Sequence, residues 1–226
     1  MVQMDAVQKR LFQEVADLHD IPEGAYNLRA NGQSISRNTT ANIDIQSKTD
    51  VSGIDIRIKS GTKNESVHIP VVLSESGIKE DVYNDFYIGE DCDVLIVAGC
   101  GIDNCGSQDS EHDGIHRFYI GKNSRVRYVE KHYGSGDGSG KRFLNPQTIL
   151  YLEEGASVTL ETSQIRGVDD TKRYTKAECR GANSEIIIRE NLLTHADQHA
   201  VSEMDVFLRG VDSKAQVVSR SATLPT

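Results

Sequence analysis

Four side chains in one short stretch have the types that bind soft metals. Cys100 and Cys105 form a C-x4-C pair, and His112 and His116 follow as H-x3-H. Thiolate and imidazole together suit zinc, or iron in a cluster. Side chains four apart share one face of a helix or a strand, so the two histidines can converge on one point. The glycines around them (Gly99, Gly101, Gly106, Gly114) allow tight backbone around a site. The spacing is not that of a standard zinc module, which pairs its cysteines more closely and well ahead of its histidines. Two readings stay open: a metal or cluster site at Cys100, Cys105, His112 and His116, or small residues and histidines that hydrogen-bond a loop. Cys92 and Cys179 stand at turn positions and read as ordinary small residues. A second H-x3-H, His195 and His199, has no cysteine nearby and reads as polar residues at strand ends.

Other chemistries are less well supported. Residues 134–142, Gly-Ser-Gly-Asp-Gly-Ser-Gly-Lys-Arg, invite a phosphate-binding reading. A P-loop needs glycine where Ser135 stands and serine or threonine where Arg142 stands, so the segment reads as a solvated, flexible loop. No nucleophile elbow, HExxH helix or recognisable triad is present. Carboxylates are numerous, which leaves a sugar-cleaving pair open by count alone.

These residues must be positioned by sheet. Val and Ile number 19 each against 13 Leu, and β-branched side chains favour strands. Val7, Leu11, Val15 and Leu18 form one apolar stripe, which predicts a helix over 2–19 ended by Pro22 and Gly24. Beyond residue 27 the period is two. Asn31-Gly32 signals a hairpin, residues 43–45 and 54–58 alternate apolar with polar, and Pro70 argues for an edge or a strand end.

From residue 86 the chain repeats. Phe86-Tyr87-Ile88-Gly89 recurs as Phe118-Tyr119-Ile120-Gly121, each followed by a polar turn and a strand. A third copy opens at Leu150, a fourth at Arg180 and a weaker fifth at Phe207, and turn anchors fall at Asp91, Asn123, Gly155, Gly181 and Gly210. Repeats of this length with two strands each fit a β-solenoid, in which each coil buries its apolar face on the next. The expected organisation is a helix and connector over 1–26 and a solenoid core over 27–222.

Charge and composition narrow the partners. The net charge of −9 argues against a nucleic-acid surface. No segment is apolar enough for a membrane helix. Charged residues run through positions 1–20, where a signal peptide would be apolar, so a cytoplasmic, reducing location is expected for the four cysteines.

Several blocks, in order, resemble the SufB/SufD family of iron–sulfur cluster assembly proteins, in its short bacterial and archaeal form. They are Asn84-Asp85-Phe86-Tyr87-Ile88-Gly89, Ile96-Val97-Ala98-Gly99-Cys100-Gly101-Ile102, His112-Asp113-Gly114-Ile115-His116, Tyr128 to Gly134, Leu144-Asn145-Pro146, Gln164 to Asp169 and Ser219-Arg220-Ser221. The resemblance implies a right-handed parallel β-helix with an N-terminal α-helix. It also implies a non-enzymatic scaffold that carries a transient iron–sulfur cluster. The implied partners are a SufC-like ATPase, a second copy or a SufB/SufD-type partner, and apoprotein acceptors. The family pattern continues beyond the Ser-Arg-Ser block, so the resemblance implies a C-terminally truncated member. The cysteine and acidic residue credited with assembly, and the helices that dock the ATPase, lie in that further part. The rival readings are a structural or interaction module without cluster chemistry and a polysaccharide-active β-helix.

Overall fold

The computed structural model describes residues 4–225. One helix, α1 (Ala6–Ala16), precedes sixteen strands. Asp5 caps α1 by accepting from the Gln8 backbone, and Gln8 returns the contact, a reciprocal capping box. The helix is shorter than its apolar stripe predicts. Asp17 takes a left-handed conformation (φ 54°) and stops it five positions before Pro22, and residues 2 and 3 lie outside the described residues.

The first strands form a cap. β1 (Ala25–Ala30) and β2 (Gln33–Asn38) make the antiparallel hairpin signalled by Asn31-Gly32, both with positive φ. β3 (Ile43–Ser47) and β4 (Gly53–Ile58) pair antiparallel, Ile43 opposite Ile58. The coils follow: β5 (Lys63–Leu73), β6 (Lys79–Ile88), β7 (Asp93–Asp103), β8 (Ser110–Ile120), β9 (Arg125–Ser135), β10 (Arg142–Leu144), β11 (Gln147–Leu152), β12 (Ser157–Arg166), β13 (Asp170–Cys179), β14 (Glu185–His195), β15 (His199–Leu208) and β16 (Lys214–Leu224). They wind into a β-solenoid of about six turns with two parallel faces. One face stacks β16-β14-β12-β9-β7-β5-β1-β2. The other stacks β13-β11-β8-β6-β4-β3, with β15 on the outer side of β13. β2 and β3 close one end, which supplies the terminal cap a stacked array requires.

The repeat alignment is the hydrogen-bond register. Phe86, Tyr87 and Ile88 pair with Phe118, Tyr119 and Ile120, and those with Leu150, Tyr151 and Leu152. Inside, Phe86 and Phe118 stack with centroids 4.4 Å apart. Outside, Tyr87, Tyr119 and Tyr151 stack at 5.2 and 5.3 Å. The principal core is aliphatic with these few rings, and each fully buried Ile, Leu or Phe contributes roughly 1.5–3 kcal/mol.

Two local expectations need correction. Pro70 lies within β5 between β1 and β7, not at an edge, and the β1–β5 ladder skips residues 69 and 70. Turns stand at the anchors Gly181 and Gly210, and the residues two further on, Asn183 and Asp212, take the left-handed conformation. A Cβ on either glycine would meet the backbone of the preceding coil at 1.9 Å. The glycine-rich segment 134–142 is not a free loop: Gly138 donates to the Asn104 carbonyl and Gly140 to that of Gly106, so it lies on the loop of the coil below.

Candidate functional site

β7 brings Cys100 inward because its neighbours face the helix. A Cβ on Gly99 would lie 2.8 Å from the Val15 carbonyl, and one on Gly101 would lie 3.1 Å from Leu11 Cδ2. These glycines let α1 lie flat on the sheet, and strand alternation then turns Cys100 into the solenoid. Cys100 pairs in register with His132 of β9. From the opposite face, β8 presents His112, Gly114 and His116 inward by the same alternation. The Nε2 atoms of His116 and His112 lie 3.2 and 3.4 Å from the point where a Gly114 side chain would begin. Cys100, His112, His116, Glu130 and His132 line one narrow cavity of about 10 Å3.

Beside it runs a buried hydrogen-bonded column. Asn84 Nδ2 donates to His116 Nε2 at 3.2 Å, His116 Nδ1 meets the Tyr128 hydroxyl at 2.7 Å, and Tyr128 donates to Glu130 Oε1 at 3.1 Å. An amide nitrogen only donates, so His116 carries its proton on Nδ1. Arg173 of β13 donates to Glu130 Oε2 at 2.9 Å and to His132 Nδ1 at 3.2 Å, which places the His132 proton on Nε2. Arg173 Nε also approaches Glu190 Oε2 at 3.6 Å, and Ser202 and Ser219 donate to the Glu190 carboxylate. At the other end His112 Nδ1 donates to Glu80 Oε1 at 3.0 Å, and Glu80 accepts from Arg29 at 2.6 Å.

Burial sets the protonation states. It pushes the Cys100 thiol well above its ordinary range, and the charges of Glu80, Glu130 and Asp113 add to that. The same burial pulls His116 down to about 4 and lowers His132, so both are neutral imidazoles near pH 7. Burial works against the Glu130 carboxylate, but His132 and Arg173 outweigh it and hold that group well below the usual range. Glu80 is held at about 2 by hydrogen bonds from His112 and Arg29, again against burial.

The structure brings together Cys100, His112 and His116, and sets Cys105 apart. Cys105 is exposed on the outer loop, its thiol donating to Asp103 Oδ2 at 3.3 Å. Cys92 and Cys179 are buried, and the Cys92 backbone N–H donates to the Ser124 hydroxyl at 3.0 Å. His195 and His199 are exposed at strand ends. Sequence reasoning missed Glu130, His132, Tyr128 and Arg173 as members of the site. Once the repeats are aligned, 128, 130 and 132 share the inward parity of Val126, and that was the available signal. Among the described residues no three His, Cys, Asp or Glu side chains are placed to hold a metal ion. The cavity is about the size one water needs, so a multi-atom cluster does not fit it.

Comparison with known proteins bears on what such an interior serves. No protein-family model matches the chain. An iron-sulfur cluster assembly SufBD family protein of Methanothermobacter thermautotrophicus strain Delta H is 21% identical over 179 residues, covering 79% of this chain and 42% of that protein. A SufBD family homologue from strain Winter is 20% identical over the same share of each. The matched region therefore spans less than half the length of these curated relatives. No helix among the described residues is long and apolar enough to cross a membrane.

Proposed function

We propose that this chain, a relative of the SufBD family, takes part in iron–sulfur cluster assembly as a non-enzymatic scaffold, with Cys100 as its working thiol. The observation that carries the reading is the pairing of that similarity with a cysteine held inside the solenoid beside three histidines and a carboxylate. Iron and sulfide are the cargo. Cys100 is a protonated, shielded thiol. An incoming ferrous ion would replace the thiol proton, as metal binding to cysteine generally does. His112 and His116 supply nitrogen donors on the facing strand, and Glu130 supplies negative charge. Binding requires local parting of the two faces around the cavity, since the cavity has no room for a cluster. A SufC-like ATPase is the proposed partner for such a step. Pairing with a second copy or a SufB/SufD-type chain, and delivery to apoproteins in the cytoplasm, complete the proposal.

A second reading is a β-helix module without cluster chemistry. What favours it is that the interior column already satisfies most of its own hydrogen bonds. Anaerobic reconstitution with ferrous iron and sulfide separates the two. The scaffold reading expects visible charge-transfer absorbance in the wild type and its loss in Cys100→Ser. A colourless wild type leaves the structural module.

A further inference from the structure

A second cavity, of about 320 Å3, opens between the β1–β2 hairpin and the β3–β4 pair. Three cationic side chains line it, Arg29, Arg37 and Lys48, and no Asp or Glu does, in a chain whose net charge is −9. Arg29 and Lys48 are already paired: Arg29 with Glu80 at 2.6 Å, and Lys48 with Asp55 and Asp85 at 2.5 and 2.8 Å. These carboxylates are not among the lining residues, and by compensating Arg29 and Lys48 they leave Arg37 as the lining cation without a carboxylate partner among the described residues.

Arg37 differs from the other two. Its Nε donates to Asn27 Oδ1 at 2.9 Å and its Nη2 to Ser47 Oγ at 3.0 Å, both neutral acceptors. It enters no ion pair among the described residues, and Nη1 has no protein partner among them. Desolvation lowers its pKa, the mark of a guanidinium partly removed from water without a counter-charge. An arginine fork set between neutral acceptors is oriented to receive a carboxylate or phosphate face. Further donors stand around the space on Gln33 and Ser52, while Ile54 and Val82 form apolar wall.

The cavity adjoins the Cys100 site. Ile69 and Val71 line both spaces, and Asn84, which donates to His116, lines this one. We propose that the cap cavity is a binding site for a small organic oxyanion, a phosphate ester or a carboxylate, with Arg37 as its principal contact. The anion supplies the charge that Arg37 lacks, and its apolar body rests on Ile54 and Val82. The site stands apart from cluster chemistry and holds whether or not Cys100 binds iron.

The test is calorimetric titration of the whole chain at constant ionic strength with glycerol phosphate and, separately, citrate. Saturable binding of either is the expected result, and which one binds assigns the group. Arg37→Gln should weaken it at least tenfold, while Arg125→Gln, on the exposed outer surface, should leave it unchanged. Gln33→Glu, at an exposed lining position, puts a carboxylate beside the site without touching the Arg37 hydrogen bonds. It should also weaken binding tenfold, and it decides the matter if Arg37→Gln does not fold. Absence of saturable binding by both ligands overturns the proposal, as does wild-type affinity in Gln33→Glu or in a folded Arg37→Gln.

Discussion

Glu130 and Arg173 meet at 2.9 Å inside the solenoid, one from each face, with 4% and 1% of their side chains exposed. The same guanidinium lies 3.6 Å from Glu190, so one cation serves two buried carboxylates. Removing it leaves both uncompensated in a low dielectric. Arg173→Met is expected to lower stability by roughly 3–5 kcal/mol. Combining it with Glu130→Gln and Glu190→Gln should recover much of the loss. Urea unfolding of the variants checks this, and a single-variant effect within a few tenths of a kcal/mol would contradict it.

Acid should weaken the fold through His116 before it reaches the carboxylates. The unfolded imidazole takes a proton below its ordinary 6.5, whereas the folded one refuses it until about 4. Stability therefore falls as pH drops through that window, by ~3 kcal/mol for this one group. The contribution of Glu80 is present above its ordinary 4.5 and fades only as pH falls toward about 2. Urea midpoints between about pH 7 and about pH 4 should decline in the wild type, and less steeply in His116→Gln. A flat wild-type profile would show that the ring protonates freely.

The seat of α1 depends on missing side chains. Gly101→Val would push into Leu11 and Val15, which lie 3.1 and 3.3 Å from its Cβ position. A cost of roughly 1–3 kcal/mol is expected, with the N-terminal segment becoming sensitive to limited proteolysis. Wild-type resistance in that variant would mean that the helix is held elsewhere.

At the far end β15 and β16 have no outer neighbour among the described residues, and Phe207, Leu208, Val217 and Leu224 are exposed there. An uncovered strand edge is a template for pairing. Light scattering is expected to show self-association that rises with concentration and is reduced in Val217→Lys. A monomer at every concentration would contradict the expectation.

Much of the fold was legible because stacked coils place like residues above one another: aligning Phe86 with Phe118 aligns the backbone hydrogen bonds. Pro70 was misplaced because its rule assumes an unbroken ladder, and here the ladder to β1 is interrupted at that position. Of the site, Cys100, His112 and His116 were legible from type and spacing. Cys105 was drawn in by proximity in sequence, but the chain has already left the solenoid wall there. Arg173 was not legible because its partner Glu130 is 43 positions away and nothing local marks it as buried. Glycines near Cys100 looked like site-forming residues and serve the helix seat instead.

The sharpest test sets the two nearby thiols against each other. Wild type, Cys100→Ser and Cys105→Ser are loaded anaerobically with ferrous iron and sulfide, desalted, and assayed for retained iron. An interior site predicts that Cys105→Ser retains iron like the wild type and Cys100→Ser retains almost none. Retention by Cys100→Ser together with loss in Cys105→Ser would move the chemistry to the outer loop and contradict the account.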